Sequence, residues 1–186
     1  MKKAAAIILC MIMLCGCEKK DKAMNKAIAF RQNLISSDQC SFSCMIYADY
    51  GDIIHSFSMQ CEFDSQGTMN FQVTEPETIS GISGTIRSNG GELTFDGNAL
   101  AFPILADGYL SPVSAPWVFM KALRSGYMDS CGEITDGYLL LLNDNYDENP
   151  LQLEVLTDPD FKPINVQMLW QGRRILSVDV KGFSCM

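Results

Sequence analysis

Between Phe42 and Phe95 apolar residues keep returning at every second position, and that period leaves little room for anything but β-strand. Phe42, Cys44 and Ile46 alternate with Ser41, Ser43 and Met45. Phe57, Met59, Cys61 and Phe63 alternate with Ser58, Gln60 and Glu62. The same pattern recurs at Met69, Phe71 and Val73, and again at Leu93 and Phe95. Between these runs lie Asp49-Tyr50-Gly51-Asp52, Asp64-Ser65-Gln66-Gly67, Ser88-Asn89-Gly90-Gly91 and Asp96-Gly97-Asn98, each with a residue able to take a positive φ. Consecutive hairpins with one apolar face predict an antiparallel meander. Strands resume at Tyr138–Leu142, Leu151–Leu156, Ile164–Trp170 and Ile175–Lys181.

Two helices interrupt this pattern. Ala23, Ala27, Phe30, Leu34 and Ile35 fall near helical spacing and predict an amphipathic helix that packs on the fold. Ser114-Ala115-Pro116 opens a second, short helix through Trp117–Ser125, and Gly126 stops it. A sheet of roughly 9–11 strands does not stay flat. Two helices are too few to cover its outside, but they can plug its concave side. The expected fold is therefore α+β: a single curled antiparallel sheet, or half-barrel, with an N-terminal helix and a short helical insert on the concave side.

The first residues carry a different message. Lys2 and Lys3 precede an apolar run from Ala4 to Leu14, and Glu18-Lys19-Lys20-Asp21 is abruptly polar. This is the layout of a secretory signal, and its apolar run of about 11 residues is too short to span a bilayer. Its end, Leu14-Cys15-Gly16-Cys17, resembles the lipobox of bacterial lipoproteins. That resemblance implies a signal peptide over 1–16, an acyl chain such as palmitate on Cys17, a short tether over 17–22, and a folded domain over 23–186. It implies anchoring on the extracytoplasmic face of the cell membrane, or in the outer membrane of a cell that has one. Two or more acyl chains make a lasting anchor. Without Lys2 and Lys3 the 14 basic residues fall to 12 against 22 acidic ones, a net charge of −10. Such a charge argues against nucleic acid and against adhesion to anionic headgroups, so the membrane partner is reached through the lipid.

No catalytic constellation appears, and an enzyme is not expected. His55 is the chain's one histidine and sits beside a turn, where it reads as a rim residue. Cys44 and Cys61 fall at core-facing positions and read as small hydrophobes. Asn143–Glu148 lacks the glycine and terminal glutamate of a calcium loop, and Ser80–Gly84 lacks the lysine and helix of a phosphate loop. No cofactor and no metal is implied. Cys40, Cys44, Cys61, Cys131 and Cys185 follow Cys17, an odd number with no regular disulfide framework. If Ala48 pairs with Ile53, Cys40 faces Cys61. A slip of two residues brings Cys44 toward Cys61 instead. Cys61 is thus the expected disulfide former, with Cys40 as the favoured partner.

The order of elements resembles the LolA/LolB-like family of lipoprotein carriers and the Gram-positive lipoproteins that share their fold. The resemblance covers residues 24–183 and rests on three stretches: Gly67-Thr68-Met69-Asn70-Phe71-Gln72-Val73-Thr74-Glu75-Pro76, Gly91-Glu92-Leu93-Thr94-Phe95-Asp96-Gly97-Asn98, and Pro163-Ile164-Asn165-Val166-Gln167-Met168-Leu169-Trp170-Gln171-Gly172. Family members bind acyl chains in the concave face under a helical lid. What it implies here is a hydrophobic ligand, namely an acyl chain, a lipid or a lipoprotein. The inward faces of the strands supply the candidate lining: Phe57, Met59, Phe71, Val73, Leu93, Phe95, Val155, Val166, Met168 and Trp170. Trp117, Met120 and Leu123 join them from the helical insert, with Phe119 beside them. The family's sporulation- and germination-linked lipoproteins act by partner binding. They imply an alternative: an anchored interaction module that binds an envelope or spore-germination protein. A large cavity would favour the first reading; a filled core with an open edge strand would favour the second.

The anchor is tested directly. Metabolic labelling with an alkyne fatty acid is expected to tag the wild-type protein, and Cys17→Ala is expected to abolish the tag. Equal labelling of the variant would remove the anchor assignment.

Overall fold

A computed structural model describes residues 22–49, 51, 54–106, 109–145 and 148–186 of the chain. The expected signal, Cys17 and most of the tether lie outside the described residues. Helix α1 spans residues 22–36. Strands β1 (Gln39–Asp49), β2 (Ile54–Asp64), β3 (Met69–Glu75), β4 (Ser83–Arg87), β5 (Gly90–Phe95) and β6 (Asn98–Phe102) form one meander. A small hairpin, β7 (Leu105–Ala106) with β8 (Tyr109–Leu110), leads to helix α2 (Ala115–Ser125). A second meander follows: β9 (Tyr127–Ile134), β10 (Gly137–Asn143), β11 (Gln152–Thr157), β12 (Pro163–Trp170) and β13 (Arg173–Cys185). The two meanders join where β1 pairs with β13, giving an 11-stranded antiparallel sheet in the order β6-β5-β4-β3-β2-β1-β13-β12-β11-β10-β9. This is the half-barrel that the alternation predicted.

The sheet is strongly curled, and α2 measures the curl. By register, the β2–β3 turn lies at the end of the sheet where β1 begins, because Gln39 faces Asp64. Asn143 lies at the opposite end, where β12 and β13 meet their turn. In a flat sheet these points would be about 36 Å apart along an 11-residue strand, and many strands apart sideways. Helix α2, only about 16 Å long, reaches both. Trp117 Nε1 donates to the Gly67 carbonyl at 2.8 Å, and Arg124 donates to the carbonyls of Asp64 and Ser65 at 2.9 and 3.1 Å. Just beyond the helix, the Gly126 backbone lies against Asn143, where an added Cβ would sit 2.6 Å from the carbonyl oxygen. Register shifts in β1–β13, β2–β3, β9–β10, β11–β12 and β12–β13 mark where the strands bend.

Most of the apolar residues predicted to face inward form the core. Cys40, Phe42, Cys44, Ile46 and Ala48 are buried along β1, and Phe119 of α2 packs on them with its ring 5.2 Å from that of Phe42. Helix α1 buries Ala23, Ala27 and Leu34. Ile35, one residue and about 100° further round the helix, faces solvent instead. Phe30 stacks on Phe161, which stacks in turn on Tyr138 at 4.0 Å. Lys26 donates to the Tyr138 hydroxyl at 2.7 Å, and that hydrogen bond raises the lysine's pKa. Arg31 donates to the carbonyls of Leu123 and Ala122, the last turn of α2. It thereby caps one helix from the other with a cation at the negative end of the dipole.

Two expectations are corrected. Strand β9 was not predicted; within it only Cys131 is buried, so no alternation marks it. The disulfide joins Cys40 to Cys185, not to Cys61. Asp49 faces Ile54, so Cys40 faces Phe63 on one side and Cys185 on the other. That register is the two-residue slip, and it leaves Cys44 and Cys61 as diagonal neighbours with sulfurs 4.0 Å apart and no disulfide between them. Burial, with the hydrogen bond to Cys44 second, pushes the Cys61 thiol well up, which keeps it protonated and unreactive.

The bond closes a loop of 145 residues, which in the chain-entropy account constrains the unfolded state by up to about 5 kcal/mol. Non-reducing peptide mapping is expected to recover a Cys40–Cys185 link, and Cys185→Ser is expected to cost about 2–5 kcal/mol in denaturant unfolding. A Cys61-containing disulfide in the map would overturn the register.

Candidate functional site

The core fills the concave face. Of the thirteen candidate lining residues, Phe57, Met59, Phe71, Val73, Met120, Leu123, Val155, Val166 and Met168 are all buried among other apolar side chains. Leu93 is only half-buried, and Phe95 and Trp170 are 46% and 40% exposed, which corrects their assignment to the interior. For Leu93 and Phe95 the reason is position: they lie on the β5–β6 hairpin at the margin of the sheet, where Leu93 only borders the core. Trp170 ends β12, where the strand leaves the core for its turn.

The open space lies at the mouth. A cleft of about 770 Å³ opens between the flanks of the curled sheet. The β4–β5 turn supplies Ser88, Asn89 and Gly90; the segment after β6 supplies Pro103, Ile104 and Leu110. Across from them stand Asp144, Asn145, Asn149 and Leu151 of the β10–β11 loop. Trp170, Gln171, Arg173 and Ile175 come from the β12–β13 hairpin. These turns belong to opposite ends of the strand register, and only the curl brings them together.

Helix α2 forms the floor with Trp117, Val118 and Lys121. The helix starts where Pro112–Ser114 makes a 3-10 turn and Pro116 sits in its first turn, an N-terminal position that costs no backbone hydrogen bond. Its spacing then divides the work. Phe119, Met120, Ala122 and Leu123 go to the core, while Trp117, Val118 and Lys121 turn to the cleft. The indole of Trp117 is pinned by its bond to Gly67, and the Lys121 ammonium stands 5.5 Å from the ring centroid. At the rim, Arg173 pairs with Asp49 at 4.0 Å; both are largely exposed, so the pair adds little stability. Asp144 accepts from the Leu151 amide at 2.8 Å and so holds its loop in shape.

Only Trp117 and Trp170 of the candidate residues line this cleft. Lys121, Arg173, Ile104, Leu110, Leu151 and Ile175 were not singled out from the sequence. The sequence singles out Trp170 by the alternation of its strand and Trp117 as part of the apolar helical insert. Phe57 also borders a second, shallower depression of about 530 Å³ with Met45, Thr74, Glu75 and Pro76. Among the described residues no three His, Cys, Asp or Glu side chains gather as metal ligands. Among the same residues no helix is long and apolar enough to cross a membrane.

The architecture is an N-terminal helix, a curled antiparallel sheet and a helical insert on its inner side. No family model matches the chain, and no curated protein does either. Among solved structures it is similar to a conserved protein from Thermus thermophilus, at 10% identity over 88% of this chain and 87% of that one, with a TM-score of 0.48. A LolA superfamily protein from Nitrosomonas europaea matches at 10% identity over 86% and 93%, with a TM-score of 0.45. The lipoprotein LppX of Mycobacterium tuberculosis matches at 7% identity over 88% and 96%, with a TM-score of 0.40. At such identities the likeness concerns the path of the chain alone.

Met168 distinguishes a filled face from an open one. It is fully buried, between Leu153 and Leu176 on the neighbouring strands. Met168→Glu places an unpaired carboxylate there and is expected to destabilise the protein by several kcal/mol. A thermal melt unchanged from wild type would show that water reaches the position.

Proposed function

We propose that this protein is a lipid-anchored envelope lipoprotein that holds a hydrophobic ligand, an acyl chain, lipid or lipoprotein, in the cleft at the mouth of its half-barrel. Its role is binding, without catalysis. The anchor is the acylated Cys17, and the residues up to the start of α1 are the tether. The domain then stands on the extracytoplasmic side.

One observation carries the reading. The structure's large cleft has both of the chain's tryptophans in its walls, and it continues the apolar surface of the core. Its volume lies in the usual range for small-molecule sites, roughly 300–1,000 Å³. Ile104, Leu110, Val118, Leu151 and Ile175 give it apolar sides. Lys121 and Arg173 stand among them as cations able to meet an anionic end of an amphiphile. Burying eight methylenes would contribute about 6 kcal/mol at about 0.8 kcal/mol each, enough to offset a substantial part of the cost of association. The packed interior limits the ligand to the mouth unless α2 moves.

The two tryptophans make the reading measurable. Brominated palmitate, whose bromines quench indole emission on contact, is expected to quench the intrinsic fluorescence saturably. Trp170→Asp, a change at an exposed position, is expected to weaken that binding at least tenfold while leaving the melting temperature in place. Quenching that never saturates, or binding unaffected by Trp170→Asp, would overturn the proposal.

A further inference from the structure

The β5–β6 hairpin ends the sheet on one side, since β6 pairs with β5 alone in the 11-stranded order. Edge strands carry a row of backbone donors and acceptors that another strand can use. The opposite edge, β9, carries Asp129 and Glu133 and a register shift in its partner pairing, features that discourage strand addition. β6 has none of these. Its sequence, Asn98-Ala99-Leu100-Ala101-Phe102, holds no charge, and its register with β5 runs without a bulge.

The side chains of the hairpin sort by face. Leu93 opposes Leu100, Gly91 opposes Phe102 and Phe95 opposes Asn98, so one face is apolar. Leu100 is 62% exposed and Phe95 46%. The other face carries Glu92 and Thr94 opposite Ala101 and Ala99. A second copy of the chain is a poor occupant. A five-residue strand cannot by itself bury the roughly 800 Å² per partner that a standard interface needs. Two chains each of net charge −8 also repel. A short extended segment needs no such area, because its own amides find partners in the edge. Glu92 on the open face and Asp96 in the turn favour basic or neutral side chains on that segment.

We infer that β6 is a docking edge for an extended segment of a protein partner. The segment is apolar at alternate residues, beside Leu100 and Phe102, and basic or neutral at the others, beside Ala99 and Ala101 on the face that carries Glu92 one strand further in. This site is separate from the cleft reading, since a peptide can pair with β6 while the cleft stays empty.

The test uses the full chain and a fluorescein-labelled peptide, Lys-Val-Thr-Val-Lys-Val-Thr, followed by fluorescence anisotropy. Saturable binding is expected. The same peptide with alternate amides N-methylated is expected to bind at least tenfold more weakly, because it cannot complete the ladder. Leu100→Glu is also expected to weaken binding at least tenfold, although its added negative charge alone would attract the peptide. Trp170→Asp, in the cleft, is expected to leave peptide binding unchanged. The proposal falls if the wild type does not bind, if the N-methylated peptide binds equally well, or if Leu100→Glu binds as wild type or more tightly. It falls too if the wild type sediments as a dimer that Leu100→Glu dissolves, since the occupant is then a second copy.

Discussion

The pairing of β1 with β13 holds this molecule in one piece. Each meander on either side is local: every strand bonds the one before it, and the turns set the register. Nothing local joins the two meanders. That task falls to one ladder between segments more than a hundred residues apart, from Cys40–Cys185 at one end to Ala48–Leu176 at the other. The disulfide sits at its margin, and the backbone of Met186 extends the contact by bonding to Asp38 and Gln39. Both helices depend on this join. α2 packs on Phe42 of β1 while Trp117 and Arg124 bond the β2–β3 turn, and α1 caps α2. The cleft is a further product, because its walls come from opposite ends of the strands.

The sequence made the elements legible wherever one face of a strand is buried. Phe42, Cys44 and Ile46, like Phe57 through Phe63, are alternating because water touches one side of them and the core touches the other. β9 escaped because it is an edge that buries little besides Cys131. The disulfide escaped for a different reason. Period 2 fixes which residues share a face, but a slip of two residues leaves every face unchanged. Whether Cys40 meets Cys61 or Cys185 therefore turns on the long-range join, to which no turn sequence speaks. The α+β half-barrel itself was readable from element order and spacing.

The binding region was less legible, and the reason is geometric. Inward alternation identifies residues that face the core, and a core packed to normal density has no room left for a guest. Met59, Val155 and Met168 are inward and fully buried for that reason. A cleft forms where elements end and packing fails. Its lining thus comes from turns and from the first residues of helices, where periodicity carries no information. Trp170 is the exception, legible from the alternation at the end of its strand, and Trp117 from the apolar helical insert; Lys121 and Ile175 do not stand out in this way.

The placement of β13 beside β1 also sets an order of events for a chain made from its N-terminus. β1 and β2 can pair early, and the first meander can form as it emerges. β1 then keeps one side bare until the 13-residue β13 has been made. Contacts of such long sequence separation slow folding. During that interval the free edge of a central strand, apolar on one face, stays open to other chains. Folding of this protein therefore calls on something to shield β1, whether a chaperone or the neighbouring helix α1, until β13 arrives.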